Sequence, residues 1–493
     1  MIGSVADSRG KLSMKRKIFA LVLACALASS AMAGCGGNDK TNSSVPAADP
    51  GAVTESRIGS YSKVVQYVGS KPVYCAGSRV FIINDDDTCT ITQVGNGVQY
   101  DAQKASDKAP NDFGFSVASN SLTDTDAYGT YFDNSGDIYH WDLTDPEAIK
   151  ENVLYSQDKV IESISQKAAG LGLDAASAEK MVSDSITDML SGSSFLDGGD
   201  GFLYKTVNAF VENQDAAPVA FCVMSISRNG DSIDFVGDIR AGSLAVGSGF
   251  MYYYDGGYTY DKTTGEVSLD SSKAGLYRSL TDGSGKTALI SGMQATTSYG
   301  NWADKMKYTL INMRVINTEV FYIDNSENGD HCLYKISTDG GTPEKVSEHK
   351  CADYYYNRAA MKLYYFDAEE HGRSVVYEKD MNSGAERALF IKRDAYTSGE
   401  TMGVCGDNLY IADASRFGAP DITADTVDSK PRRTVSGQRY NLKTGELENL
   451  YCTVSYADLK LEGDSYVYKG PAYNYIFWEK QEPESTADGT AVY

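Results

Sequence analysis

Four stretches of this chain repeat one local plan, and that repetition constrains the fold more than any other feature. "LYRSLTDGSGKTALIS" begins at Leu276, "LYKISTDGGTPEKVS" at Leu333, "VYEKDMNSGAERALF" at Val376 and "RYNLKTGELENLY" at Arg439. Each is an apolar or aromatic strand pattern, a turn rich in Gly, Asp, Asn or Ser, and a second alternating strand. Tyr277, Tyr334, Tyr377 and Tyr440 hold the same place in all four. The turn residues have a mechanism, because Gly takes positive φ without a Cβ clash and Asp or Asn tolerates it. A second element precedes each hairpin: "MYYYD" ends at Asp255, "VFYID" at Asp324, "LYYFD" at Asp367 and "LYIAD" at Asp413, with an earlier relative, "GTYFD", ending at Asp133. Asp324, Asp367 and Asp413 are spaced by 43 and 46 residues, the length of a four-stranded propeller blade. The interval from Asp255 to Asp324 is 69, which places an insertion there.

A four-stranded antiparallel sheet with apolar side chains on both faces cannot stand alone in water. Packing such sheets around an axis buries those faces and leaves only short edges. The fold class expected is therefore all-β, a β-propeller of four-stranded antiparallel blades over residues 61–480. The 35 Tyr and 47 Gly suit it, since a tyrosine ring packs between blades while its hydroxyl reaches a wet rim. One segment breaks the pattern. Val160, Ile161 and Ile164 share a helical face, as do Met181, Val182, Ile186, Met189 and Leu190, and Asp174 stands where the second helix needs an N-cap. Residues 157–192 are read as a helical insertion whose apolar face covers its own domain.

The N-terminus carries a different signal. Lys15, Arg16 and Lys17 form a basic leader, Ile18 to Ala33 an apolar core, and Met32-Ala33-Gly34 precede Cys35. The apolar run has the length of a signal-peptide core and falls short of the roughly 20 residues a membrane-spanning helix needs. Its end resembles the lipobox of bacterial lipoproteins. That resemblance implies cleavage between Gly34 and Cys35, with lipid on Cys35, so residues 1–34 are a signal peptide; Met14 is a candidate for the true start. Residues 35–60 are rich in Gly, Asn, Ser, Pro and Ala and read as a flexible stalk, and residues 481–493 as a disordered tail. Loss of residues 1–34 removes five Lys or Arg and one Asp and leaves a formal charge of −26. Such a surface argues against nucleic acid as a partner.

Few residues propose chemistry. Gly285-Lys286-Thr287 matches the end of a phosphate-binding loop, but Leu280 stands where the first Gly is required, so the stretch reads as a hairpin turn and no nucleotide is expected. The histidines are His140, His331, His349 and His371, without a His-Glu-x-x-His helix, and no Gly-x-Ser-x-Gly elbow joins a strand to a helix. "NDDDT", Asn84 to Thr88, lacks the spaced ligands of a calcium loop and reads as a turn. The repeated Asp133, Asp255, Asp324, Asp367 and Asp413 are expected to hold turns by side-chain-to-backbone hydrogen bonds. No cofactor or metal is expected. Without Cys25 and Cys35, seven cysteines remain. If Gly340-Gly341 is a two-residue turn, Cys332 faces His349 and lies diagonal to Cys351. Cys332 and Cys351 are thus a disulfide candidate, with free thiols or a metal site including His331 and His349 as alternatives. Cys75 and Cys89 flank a hairpin-like stretch and form a second candidate pair.

"LYYFD", "VFYID" and "LYRSLTDGSGKTALIS" resemble the tyrosine-rich propellers related to those of low-density-lipoprotein receptors, including bacterial lipoprotein versions, most clearly between residues 250 and 450. No unit carries Trp at the second position of the Tyr-Trp-Thr-Asp signature, so the receptors' ligands do not transfer. The resemblance implies six to eight blades. Seven are expected, closed by "YNYIFWEK" pairing with early strands. The functional expectation is a non-enzymatic, lipid-anchored module facing outside the cytoplasm that binds a protein or cell-surface ligand; its ligand-binding residues are not identified. The rival is a cell-envelope carbohydrate-active enzyme, a propeller glycosidase or lyase with two channel-facing carboxylates. A two-lobed transporter receptor would need strand–helix alternation, which is missing.

Overall fold

The computed structural model describes the backbone of the strands between 66 and 122 and most residues from 126 to 492; the intervals outside the description include 1–65, 102–116, 143–149, 210–219, 393–399 and 414–431. The signal segment 1–34 with Met14 and Gly34, the lipidation candidate Cys35, the stalk 35–60, Asn84 to Thr88, Asp133 and His371 lie outside the described residues. No described helix is long and apolar enough to cross a membrane.

Antiparallel meanders follow one another along the chain. Among the described residues they form sheet 1 (66–101), sheet 2 (117–155), sheet 3 (196–236), sheet 4 (244–291), sheet 5 (310–350), sheet 6 (351–392) and sheet 7 (400–480). Sheets 5 and 6 are joined because one strand, Glu344–Asn357, ends the first and begins the second. The first strands draw together: Leu196–Asp197 touches Leu244–Gly247, which touches Leu310–Ile316, and Glu344–Asn357 touches Glu400–Cys405. First strands gather in this way in the blades of a β-propeller, which is the fold class of this protein.

From sheet 2 onward, each sheet shares an apolar core with the next. Tyr253 and Val246 of sheet 4 pack on Val223 and Tyr204 of sheet 3, and Tyr252 and Leu276 on the other face pack on Tyr322 and Val315 of sheet 5. Phe321 and Leu333 meet Tyr354 and Tyr365 between sheets 5 and 6; Phe366 and Phe390 meet Leu409 and Tyr440 between sheets 6 and 7. Period-two alternation thus feeds two cores at once, which explains the near-continuous aromatic runs "MYYYD" and "LYYFD".

Three of the four repeated tyrosines share one job. Tyr277 pairs with Tyr253, Tyr334 with Tyr322 and Tyr377 with Tyr365 across the second and third strands. The rings stack with centroids 6.2, 6.0 and 5.1 Å apart. Each pair faces the preceding sheet. Such cross-strand aromatic pairs contribute about 0.2–1 kcal/mol each beyond their burial. In sheet 7 the position opposite Tyr440 is Leu409, and Tyr440 stacks on Phe390 of sheet 6 at 4.7 Å. Register shifts recur between the third and fourth strands beside this tyrosine, at Leu276/Tyr277, Cys332/Tyr334 and Val376/Tyr377. Leu289 and Leu389 are the extra residues opposite two of them and are buried. A bulge increases local twist, and its recurrence shows the sheets to be copies of one plan.

The turns are copies as well. Asp282 Oδ1 accepts from Ser284 N at 2.8 Å, Asp380 Oδ1 from Asn382 N and Ser383 N at 3.0 and 2.9 Å, and Asn441 Oδ1 from Lys443 N and Thr444 N at 2.9 Å. Gly285, Gly384 and Gly445 then adopt φ of 67, 74 and 75°, a conformation that costs glycine little. The Gly-Ser-Gly-Lys-Thr stretch is this hairpin turn.

The insertion forms two helices, α1 (Gln157–Gly170) and α2 (Ala175–Leu190). Ser177 N donates to Asp174 Oδ1 at 2.7 Å, the expected N-cap, and that hydrogen bond holds the Asp174 carboxyl below its usual range. Val160, Ile164, Met181, Val182 and Ile186 are buried against sheets 2 and 3. A third helix, α3 (Trp302–Tyr308), precedes sheet 5.

Two expectations near the C-terminus are corrected. Asn474–Lys480, "NYIFWEK", pairs with Leu447–Val454 as an outer fifth strand of sheet 7, not with early strands. Among the described residues the intervening segment holds the small hairpin Leu459–Glu462/Ser465–Tyr468, and local return closes a shorter loop than pairing across the whole chain. The 481–493 segment includes two strands: Ala491–Val492 pairs in parallel with Phe390–Ile391 at the edge of sheet 6, and Glu484–Ser485 pairs antiparallel with it. An open sheet edge offers unpaired amides and carbonyls, and Val492 is buried there.

Candidate functional face and the hub

Successive connections of a meander fall at alternate ends, and here the two ends differ sharply. At one end lie the links from first to second strand and from third to fourth: 248–249, 317–318, 358–361, 228–232, 281–286, 381–385 and 442–446. At the other lie 156–195 with both helices, 256–274 with the hairpin Tyr258–Tyr260/Val267–Leu269, and 292–309 with α3. Every large elaboration among the described residues leaves the same face. A rigid scaffold with loops gathered at one end is where binding residues concentrate.

The second strands of sheets 4 to 7 all end at this face on the repeated aspartate. Asp255 Oδ1 accepts from Gly257 N at 2.8 Å, Asp324 Oδ1 from Ser326 N at 3.0 Å, and Asp367 Oδ1 from Val375 N at 2.9 Å. They hold their connections as the repeats imply; of Asp413 only the backbone is described. Asp255 Oδ2 also receives Lys286 Nζ at 2.6 Å, and Lys286 lies 4.3 Å from the Tyr277 ring centre. The lysine of the phosphate-loop lookalike is therefore engaged within sheet 4. Burial pushes the Tyr252 and Tyr253 phenols up to about 12, so both stay neutral.

Near the same face, the first strands of sheets 5 and 6 build a polar cluster at the hub. Asn312 sits in a register shift of Leu310–Ile316 at φ 49°. Its side-chain amide donates to Asp353 Oδ1 at 3.1 Å and Ala352 O at 3.2 Å. Arg314 Nη2 lies 2.9 Å from Asp353 Oδ1, Arg314 also donates to the Tyr354 carbonyl, and its guanidinium covers the Tyr354 ring at 4.5 Å. Tyr354 returns a hydrogen bond from its hydroxyl to Asn312 O at 2.9 Å, and burial drives its phenol well above the ordinary value. Asp353 is 3% exposed. A carboxylate accepting from Arg, Asn and a backbone amide is stabilised as the anion.

A second cluster joins sheets 2 and 3 at the tight-turn end. His140 Nε2 is 2.7 Å from Asp126 Oδ1 and stacks on Tyr128 at 4.9 Å. Arg228 of sheet 3 reaches across the junction to the Tyr128 hydroxyl at 3.1 Å and Asp126 at 3.7 Å, and meets Asp197 of its own sheet at 3.4 Å. Together with Arg278, which donates to Thr338 O at 2.7 Å and meets Asp339 at 2.8 Å, and with Arg314, it bridges three junctions, sheets 2 and 3, 4 and 5, and 5 and 6. Sequence reasoning missed these partners because up to 100 residues separate them.

The cysteine expectation is corrected. Cys332 pairs with Lys350 rather than His349, because three extra residues of Glu344–Asn357 enter the ladder between Cys332 and Tyr334. Cys351 N donates to His331 O at 2.8 Å. Neighbouring residues leave opposite faces of a strand, so Cys351 joins the core of sheets 5 and 6 while Cys332 leaves the other way. Both are free, buried thiols, and burial pushes both pKa values up, which makes them unreactive. His349 instead stacks on Tyr377 at 4.4 Å. Cys75 and Cys89 lie on strands either side of Arg79–Ile83, two strand spacings or about 9.5 Å apart, beyond disulfide reach. No group of metal-ligating side chains gathers among the described residues.

No family model matches this chain, and no curated protein matches it. Solved structures similar to it include a nidogen/laminin complex, 11% identical with a TM-score of 0.32, covering 69% of this chain and 95% of that one. TolB from Acinetobacter baumannii is 11% identical with a TM-score of 0.29, covering 76% and 80%. A puromycin hydrolase is 12% identical with a TM-score of 0.37, covering 83% of this chain and 61% of that one. Superpositions this loose carry no argument about what this chain does.

Proposed function

We propose that this protein is a seven-bladed, lipid-anchored propeller facing outside the cytoplasm, which binds a protein or cell-surface ligand through its long-connection face and catalyses no reaction. The observation that carries the reading is the asymmetry of the connections: insertions crowd one face while the opposite face is closed by tight turns. The basic leader, apolar run and Cys35 support the anchor, and the 35–60 stalk gives the domain reach from a bilayer. At the hub, Asp353 is committed to Arg314 and Asn312, which suits a scaffold better than acid–base chemistry.

Two measurements test it. Cys35→Ala releases the protein from the membrane fraction, and unchanged fractionation overturns the anchor. A photo-crosslinking residue at Leu269, 54% exposed on the long face, captures a partner in the protein's own cells, whereas one at Met361, 36% exposed on the tight face, does not. Equal capture from both positions overturns the choice of face. Turnover of cell-wall glycan by the purified chain overturns the non-catalytic reading in favour of an envelope carbohydrate-active enzyme.

A further inference from the structure

Met361 ends the tight turn between the first two strands of sheet 6, and it is the most exposed methionine whose side chain is described. Met181, Met224, Met251 and Met306 are fully buried, Met313 and Met402 nearly so, and Met293 and Met381 are half-buried. The Met361 sulfur also has a defined partner. The Tyr356 hydroxyl donates to Met361 Sδ at 3.1 Å. The Tyr356 ring is buried in the core of sheets 5 and 6 and stacks on Phe321 at 5.9 Å, so the hydroxyl is aimed from a fixed base. The methionine backbone is fixed as well. It takes φ 51°, its N–H donates to Arg358 O at 3.2 Å, and its carbonyl accepts from Met381 N at 2.9 Å. A thioether sulfur is a weak acceptor with two lone pairs. With both ends of the contact anchored, one lone pair faces Tyr356 and the other is left to solvent.

We propose that Met361 is an oxidant-consuming site, which takes oxygen from hydrogen peroxide on the lone pair that Tyr356 leaves open and gives predominantly one sulfoxide epimer. In this step the sulfur lone pair attacks one peroxide oxygen, the S–O bond forms and the O–O bond breaks. The proton of the new S–OH group passes to the departing hydroxide, giving sulfoxide and water. Sulfur is oxidised by two electrons and peroxide is reduced by two. Oxidation makes a methionine polar and chiral at sulfur, which disrupts a core but not a solvent-facing turn. Met313 and Met402 would carry that polarity into buried surroundings, whereas Met361 carries it into water. The epimer preference follows from the hydroxyl, because the donated hydrogen covers one of the two directions from which oxygen can arrive. Thioether reduction restores the site, one reductase acting on each epimer.

The test treats the full-length chain with limiting hydrogen peroxide, digests it and reads each methionine by peptide mass. The Met361 peptide is then divided between the two epimer-specific reductases. The expected result is several-fold more oxidation at Met361 than at Met293 or Met381, with one reductase removing several-fold more of its sulfoxide than the other. In Tyr356→Phe, which keeps the ring, Met361 remains the most oxidised and the epimer excess falls toward that of the chain oxidised in denaturant. Faster oxidation of Met293 or Met381 in the parent chain overturns the site. Equal epimers in the folded parent, or an excess undiminished in Tyr356→Phe, overturn the part assigned to the hydroxyl. Should Tyr356→Phe fail to fold, the parent ratio against that of the denatured chain decides the matter.

Discussion

Two junctions of the ring solve the same packing problem in opposite ways. Between sheets 5 and 6 no connection exists: Glu344–Asn357 passes from one ladder to the next without a break. Between sheets 2 and 3 the chain departs for residues 156–195 and returns after two helices. The continuous junction holds its ion pair dry, with Asp353 and Arg314 side chains 4% and 15% exposed. The interrupted junction keeps Arg228 and Asp126 27% and 24% exposed and buries helical aliphatics instead. Chain length between sheets therefore does not decide how they meet. What decides it is which groups remain after both apolar faces are covered.

That contrast predicts unequal costs. Asp353→Ala strands the Arg314 guanidinium at the hub and is expected to destabilise by about 3–5 kcal/mol in calorimetric unfolding, with much of the loss recovered in Asp353→Leu/Arg314→Met. A loss below about 1 kcal/mol would show that the hub pair is wetter than its geometry implies. At the interrupted junction, Ile164→Ala removes a fully buried side chain and is expected to cost about 2–4 kcal/mol, whereas Arg228→Met costs less than Asp353→Ala in the same assay. Asp174→Ala removes the α2 cap and is expected to cost about 1 kcal/mol, read as a lower midpoint in denaturant with unchanged slope.

The smallest effect is a pH dependence within one sheet. Burial pushes the Glu378 carboxyl up, but hydrogen bonds from Lys362 and Arg387 at 3.1 Å outweigh it and leave the pKa below its ordinary value. A lowered folded pKa stabilises above the unfolded value and is lost as pH falls through the folded one. The Tm of the parent chain should therefore fall more steeply between about pH 5 and pH 3 than that of Glu378→Gln. Parallel Tm curves for the two proteins would show that this ladder contributes nothing.

Much of the scaffold was legible before any coordinates. Tyr277, Tyr334, Tyr377 and Tyr440 announced equivalent strands, the Gly-containing turns announced the hairpins, and Asp174 announced a helix start, because each depends on residues close in sequence. The cysteine pairing was not legible. A register shift of three residues placed Lys350 opposite Cys332 and sent Cys351 to the other face, and such irregularities arise from twist and packing that no short window encodes. The destination of "NYIFWEK" and of Ala491–Val492 failed for a related reason, since any open edge satisfies a strand's hydrogen bonds and only the assembled ring determines which edge is near.

For this protein, then, local chemistry alone determined the repeat, the turn geometry and the helical insertion, because φ preference, period-two alternation and capping act within a few residues. The tertiary structure alone decided that Arg228, Arg278 and Arg314 clamp neighbouring sheets, that Asn312 and Asp353 meet at the hub, and that the large insertions share one face. Those outcomes follow from a rotation repeated sheet after sheet, which brings distant residues together by a geometry that no single segment contains.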